Sequence, residues 1–250
     1  MPRVGRNPMA TLFLDLYGVL ARSVAMEAAY NERMASILHR RNGGSLERWR
    51  ELQQESYLWY QAEGRKLDAR PGPDREGQSW VDAVSRLNAD QIAWMFARAG
   101  VPVPPDAAKY SEQLEEETVR EIDALYDDVR PALPRLKAEG HRVYLSTNAT
   151  RSNGESALIG GGVRGMFDGV VCLENGMAKK DRPAYWQNAF RIANVRPEDA
   201  VCVDNEARYL EPPLDLGARC VQILRDQDPP RHWTLIPILS GLEALSAWLE

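Results

Sequence analysis

The stretch Thr11-Leu12-Phe13-Leu14-Asp15-Leu16-Tyr17-Gly18-Val19-Leu20 constrains the fold more than any other part of this chain. An extended segment that is apolar on successive residues is apolar on both faces, so it belongs inside a parallel sheet covered on both sides by helices. The first polar group after it, Asp15, then lies at the carboxyl end of the strand, where open α/β sheets place their chemistry. Gly18 follows, at a point where the backbone can come close to a ligand. Two readings of Asp15 stand here: a nucleophilic carboxylate, or an Asp that caps the next turn.

After Val129 the chain alternates between strand and helix. A helix is predicted over 130–139, ended by Gly140, then a strand over 141–146 that stops at Thr147-Asn148-Ala149-Thr150. Further strands are predicted over 169–173, 200–203 and 216–224, with a helix over 182–193; the second of these strands ends at Asp204-Asn205. Such alternation implies a Rossmann-like, doubly wound α/β core with right-handed crossovers. Residues 23–128 carry helical periodicity and almost no strand signal. Helices are expected over 24–41, from Ser45 to the breaker Arg70-Pro71-Gly72-Pro73, and over 78–87, 89–99 and 106–126. The chain thus divides into an α/β core, 1–22 and 129–250, and an inserted helical block, 23–128.

Composition narrows the function classes. A hydrophobic content of 44% supplies a core, and no apolar run approaches the ~20 residues needed to cross a bilayer. Residues 1–10 lack the hydrophobic segment of a signal peptide, so the expected location is the cytoplasm, with no membrane partner. The net charge of -5 is spread through the helical segments without a basic block, which argues against nucleic acid. Cys172, Cys202 and Cys220 sit in apolar segments at wide spacing and read as reduced core residues. His39, His141 and His232 have no metal-ligand spacing and read as surface or packing histidines.

Four polar stations fall at strand ends or just beyond: Asp15, Thr147 with Asn148, Lys179 with Lys180, and Asp204 with Asn205. In a doubly wound sheet these ends share one crevice. A nucleophilic carboxylate needs positive charge nearby, which a lysine supplies, while a hydroxyl and an amide can hold substrate oxygens. A second carboxylate close to the first repels it unless a cation intervenes or one of the two is protonated, so Asp204 hints at Mg²⁺.

From Thr11 to Leu224 this constellation resembles the haloacid dehalogenase superfamily of hydrolases. That family's first motif is D-x-D-G-[TV], here Asp15-Leu16-Tyr17-Gly18-Val19; its second is Ser or Thr after a strand, here Thr147-Asn148. Its third is a lysine before a helix, and counting from Lys180 rather than Lys179 puts Pro183 and Trp186 where the motif has a proline and an aromatic. Its fourth is an apolar strand ending in acids, here Val203-Asp204-Asn205-Glu206. The resemblance implies that Asp15 is the nucleophile of a covalent aspartyl intermediate, that Thr147 orients the substrate and that Lys180 offsets charge. It also implies that the helical block is a cap.

The chain departs from the common form at Tyr17, where phosphatases of the family carry an acid that protonates the leaving alcohol. A phenol near its ordinary pKa of ~10 is a poor base at neutral pH. Tyr17 either faces the site beside Asp15 or packs beneath the cap. Asp-x-Tyr-Gly resembles the L-2-haloacid dehalogenase branch, in which halide leaves without protonation. Trp49-Arg50 resembles that branch's aromatic-Arg region, although Arg50 also reads as a solvated helix charge. Against that branch stand Asp204-Asn205-Glu206 in place of Ser-Ser-Asn, Val19 in place of Thr, and Trp186 in place of Tyr. Asp204 would suit Mg²⁺ held by Asp15, the Tyr17 carbonyl and Asp204.

The expected function is therefore cleavage of a carbon-halogen bond in a small, anionic 2-substituted carboxylic acid held by Arg50, Thr147 and Asn148, with no cofactor. The alternatives are a Mg²⁺-dependent phosphatase or phosphotransferase, and a catalytically weak binding protein. Trp49, Trp59, Tyr60 and Trp80 either line a pocket or form the interior of the cap, whose aromatic content also offers surface for a homodimer.

Overall fold

The structure is a computed structural model and describes residues 9–225 and 235–249. Its centre is a six-stranded sheet in the order β3-β2-β1-β4-β5-β6, with every neighbouring pair parallel. The strands are β1 Thr11–Leu14, β2 Arg142–Ser146, β3 Gly169–Val171, β4 Ala200–Asp204, β5 Arg219–Ile223 and β6 Ile238–Leu239.

The alternation inside β1 shows why an unbroken apolar run fits here. Leu12 and Leu14 point into one fully buried cluster with Leu133, Leu136 and Leu158, and Phe13 points into the opposite one with Tyr185, Trp186 and Phe190. Helices α5 Val129–Ala138, α6 Arg151–Gly160 and α10 Leu242–Leu249 cover the first face. On the second face α8 Pro183–Ala193 packs its Trp186 edge-on against Phe13, ring centroids 6.2 Å apart. Short helices α7 Leu173–Gly176 and α9 Glu211–Asp215 complete the core. From β1 the chain builds outward to β2 and β3, then returns to place β4 on the other side. The switch point therefore lies between β1 and β4, and open sheets of this kind bind ligands at that crevice.

Between β1 and β2 stand helices α1 Ser23–Asn42, α2 Leu46–Asp68, α3 Gly77–Ala99 and α4 Ala107–Val119. They enclose their own apolar cluster, which contains Ile37, Leu38, Trp49, Leu52, Met95 and Phe96. Two expectations need correction. The predicted helices 78–87 and 89–99 are one helix, α3, because Leu87 and Ile92 are buried on either side of Asn88-Ala89-Asp90 and packing overrides that stretch's turn tendency. The helix expected to reach 126 stops at Val119. The chain then runs back beside its own exit, with the Arg22 amide donating to the Ala124 carbonyl at 2.8 Å and the Tyr126 amide to the Leu20 carbonyl at 2.9 Å. Helices α6 and α10 and strand β6 were not anticipated.

Trp49 is packing: its indole N–H donates to the Gly43 carbonyl at 2.8 Å and its ring meets Phe96. His141 accepts from the Ala10 amide at 3.1 Å through Nδ1; His232 lies outside the described residues. All three cysteines are buried and unpaired. Among the described residues no helix is long and apolar enough to cross a membrane.

Candidate active site

β1 and β4 end side by side, and the residues that follow them build the site. Asp15 continues the pairing, its amide donating to the Val203 carbonyl at 2.9 Å, while Asp204 is the last residue of β4. The Lys180 ammonium sits between the two carboxylates. It donates to Asp15 Oδ1, to Asp204 Oδ2 at 2.6 Å and to the Ser146 carbonyl at 3.4 Å, so each of its three protons has an acceptor. Asp15, Lys180 and Asp204 are 6%, 2% and 1% exposed, which places this charged triad in the interior.

Burial dominates the electrostatics. It pushes the Asp15 carboxyl up to about 7, with Asp204 adding to the rise and Lys180 opposing it. Burial alone would lower the lysine, yet the two carboxylates outweigh it and hold the ammonium charged. The Tyr209 ring lies 5.1 Å from Lys180 Nζ and covers it from one side.

The second station builds the opposite wall. Thr147, the residue after β2, is 2% exposed, and its hydroxyl oxygen accepts from the Ala149 amide at 3.1 Å, which leaves the hydroxyl proton for a ligand. Asn148 uses Oδ1 to accept from the Lys180 amide at 2.8 Å, so the amide station also fixes the lysine's backbone. On the other flank Trp186 donates its indole N–H to the Lys180 carbonyl at 2.9 Å.

Gly18 has φ +91, open to glycine without strain, and a Cβ there would stand 2.6 Å from the side chain of Asn205. What approaches Gly18 is thus the residue after Asp204, which locks the first and fourth stations together. Tyr17 turns toward α6 and donates its hydroxyl to Asn153 Oδ1 at 2.6 Å. Burial, reinforced by Glu115, holds its proton well above the ordinary phenol range. Glu115 itself reaches across from α4, taking hydrogen bonds from Asn153 Nδ2 at 3.1 Å and from the hydroxyls of Ser152 and Thr150.

The structure therefore brings together Asp15, Tyr17, Thr147, Asn148, Lys180 and Asp204. It does not bring Arg50 there. That guanidinium grips Glu32 of α1 through two bonds of 2.8 and 2.6 Å and also holds Glu47 at 3.2 Å, with the Arg50 side chain 40% exposed. In this structure Arg50 is thus engaged as a charge on the helix surface. Lys179 is likewise turned away, toward Asp68 at 2.6 Å. Of the aromatic candidates, Trp59 stacks on Trp94 within the helical block, and Trp80 is buried where α3 meets the core. Sequence reasoning missed Asn153, Glu115, Tyr185 and Tyr209. Only Tyr185, beside the aromatic of the third motif, carried a usable signal.

Hard oxygen donors from Asp15, Asp204 and the Tyr17 carbonyl suit Mg²⁺ in kind, and an ion that keeps several waters needs only one or two carboxylates. Lys180 already neutralises those carboxylates, and Asp204 Oδ1 also accepts from the Glu206 amide at 2.9 Å. Among the described residues no three His, Cys, Asp or Glu side chains gather into a denser cage.

Comparison with known proteins shows the family and the fold. Residues 9–208 match the family of haloacid dehalogenase-like hydrolases. The enolase-phosphatase E1 of Frankia alni is 31% identical over 108 residues, 42% of this chain and 45% of that protein. Pyrophosphatase PpaX of Bacillus cereus is 25% identical over 127 residues, 51% and 53% of the two chains. The chain thus spans about half the length of these curated relatives. Among solved structures, L-2-haloacid dehalogenase from Xanthobacter autotrophicus with chloropropionic acid covalently bound shares the fold with TM-score 0.61 and 13% identity, over 96% of this chain and 98% of that one. The magnesium-bound HAD-hydrolase YfnB of Bacillus subtilis does so with TM-score 0.64 and 14% identity, over 97% and 99%. By its motifs, its sheet order and the match across residues 9–208, this chain belongs to the haloacid dehalogenase-like hydrolases.

Proposed function

We propose that this hydrolase uses Asp15 to displace a leaving group that departs as a stable anion without taking a proton, in the first instance halide from a small 2-halo carboxylic acid. The observation that carries this reading is the Tyr17–Asn153 hydrogen bond: the position of the family's proton donor holds a phenol whose hydrogen is already engaged. Halide needs no such donor.

In this reading the free oxygen of Asp15 attacks the carbon that bears the halogen. The carbon-halogen bond breaks, halide leaves with the electron pair, and an aspartyl ester remains. Asp15 Oδ1 becomes the ester carbonyl oxygen. When water adds to Cγ, negative charge develops on that oxygen, where the Lys180 ammonium already points. Collapse breaks the bond from Cγ to the ester oxygen, which takes one of the water's protons and leaves as the 2-hydroxy acid, while the other proton passes to solvent and Asp15 is a carboxylate again. The Thr147 hydroxyl and Asn148 Nδ2 remain to hold the substrate's carboxylate, with Arg50 taking no part. We also propose that the α1–α4 block acts as the cap that excludes water.

Asp204 favours a second reading, hydrolysis at phosphorus. When held by Asp15, the Tyr17 carbonyl and Asp204, Mg²⁺ would neutralise the oxygens of a phosphoryl group. The phosphate of an anhydride also leaves without a strong proton donor, which makes the likeness to a pyrophosphatase relevant.

The test is release of halide from 2-chloropropionate and 2-bromopropionate, and of phosphate from pyrophosphate and an alkyl phosphate, each with Mg²⁺ or with EDTA. Halide release indifferent to EDTA supports the first reading, and phosphate release lost in EDTA the second. Neither release leaves a binding protein, and turnover that survives Asp15→Asn overturns both enzymatic readings.

A further inference from the structure

Lys180 sits in a short loop, and its neighbours in that loop are tied to the helical block. Lys179 Nζ donates to both carboxylate oxygens of Asp68, the last residue of α2, at 2.7 and 2.6 Å. Arg75 Nη2 donates to Asp181 Oδ2 at 2.7 Å, and Arg182 Nε donates to Glu76 Oε1 at 2.8 Å. Backbone joins the side chains: Glu76 pairs with Ala178 in an antiparallel bridge, and the Gly77 amide donates to the Met177 carbonyl at 2.7 Å. Close packing seals the contact, since a Cβ on Gly72 would stand 2.8 Å from the Arg182 guanidinium. Met177 itself holds φ +54, a conformation that a side chain other than glycine's keeps only where its surroundings impose it.

We propose that Asp68, Arg75 and Glu76 are positioning residues for Lys180, so that docking of the helical block and placement of the ammonium between Asp15 and Asp204 are one event. The inference rests on Lys180 as the counter-charge of the nucleophile and deepens that reading. Within 177–182 the core holds Lys180 through Asn148, Trp186 and the two carboxylates, and buries Ala178 in its apolar cluster. The ion pairs flank it along the chain, at 179, 181 and 182, and each reaches more than a hundred residues back in sequence. One such pair at the surface is weak, but three that share a short loop with a backbone bridge act together. In the undocked state the loop loses these ties, Lys180 leaves Asp15, and the site is both open and incompetent. The nucleophile is therefore armed only when water is excluded.

The experiment uses the full chain and Asp68→Asn combined with Glu76→Gln. Amide hydrogen exchange is followed by mass spectrometry, and the Lys180 ammonium by its ¹H–¹⁵N resonance, which persists only while its protons are held. Exchange over 177–182 is expected to quicken about five- to tenfold while β1 and β4 stay protected, with loss of the ammonium resonance. Turnover falls in kcat by a similar factor, and KM moves less than about twofold. The exchanged pair Asp68→Lys with Lys179→Asp restores the exchange rate and the resonance. Unchanged exchange over 177–182, equal loosening of the whole chain, or failure of the exchanged pair to restore the signal overturns the proposal. Should the double variant fail to fold, the wild type in 1 M rather than 0.05 M salt screens the same pairs, and an unchanged loop then overturns it. A protein that releases neither halide nor phosphate still shows or lacks these loop effects. Turnover that persists in a loosened loop sinks the positioning role and leaves the nucleophile standing.

Discussion

Tyr17 donates its hydroxyl to Asn153 Oδ1 at 2.6 Å, and so braces the turn after β1 against the first turn of α6. The consequence is chemical: the side chain two residues after the nucleophile holds its proton away from any leaving group. Tyr17→Phe is expected to change turnover of a 2-haloacid by less than about threefold and to cost on the order of 1 kcal/mol of stability, because Asn153 Oδ1 loses its donor. Tyr17→Asp restores a titratable acid at that position and is expected to raise hydrolysis of an alkyl phosphate in Mg²⁺ above the wild-type level. A hundredfold loss in Tyr17→Phe would mean that the phenol carries a proton in the reaction.

Lys180 and Lys179 are adjacent, and their environments separate them. Lys180→Met leaves the buried Asp15 and Asp204 facing each other without a cation, and removal of one partner from such a group costs about 3–5 kcal/mol. Lys179→Met breaks only the pair with Asp68, whose side chains are 29% and 40% exposed, and is expected to cost less than about 1 kcal/mol. Urea unfolding of both variants checks this. Equal losses would place the two lysines in equivalent surroundings and contradict the triad.

The contrast between these lysines shows what was legible in the sequence. Strand β1 could be read because burial on both faces demands apolar residues in succession, Asp15 and Asp204 because each is the first polar group after such a run, and Thr147 because it opens the polar cluster that follows β2. Lys180 was separable from Lys179 only by its spacing to Pro183 and Trp186. Arg50 was not legible, since the direction of a guanidinium on an amphipathic helix is decided by what the neighbouring helix offers, here Glu32. Glu115 and Asp68 were hidden for the same reason. They meet their partners across 38 and 111 residues, and no local spacing records such a meeting.

Arg50→Ala tests that placement of the guanidinium. With its guanidinium held by Glu32 and Glu47, it touches no group of the site. KM and kcat for any substrate of this enzyme are expected to stay within about twofold of wild type, since a distant surface substitution removes no transition-state contact. A rise in KM for haloacids beyond tenfold would return Arg50 to the substrate.

Asp15 ties activity and stability to pH in opposite directions. As a nucleophile it must be ionised, so with its carboxyl at about 7 the rate is expected to rise through neutrality and level off in mild alkali. Stability runs the other way. The folded chain keeps the Asp15 proton up to about 7, whereas the unfolded chain releases it near the ordinary 3.8. Over that window the folded state binds more protons, and stability falls as pH rises until both states are ionised. Asp15→Asn removes the buried charge and leaves Lys180 paired with Asp204. The variant is expected to be inactive yet more stable than wild type at pH 8, melting higher by about 2–4 °C for each kcal/mol gained, with the gap closing toward pH 4. Melting curves of both proteins across that range decide the matter: a variant that melts lower at pH 8 would show that the Lys180 contact outweighs burial at Asp15.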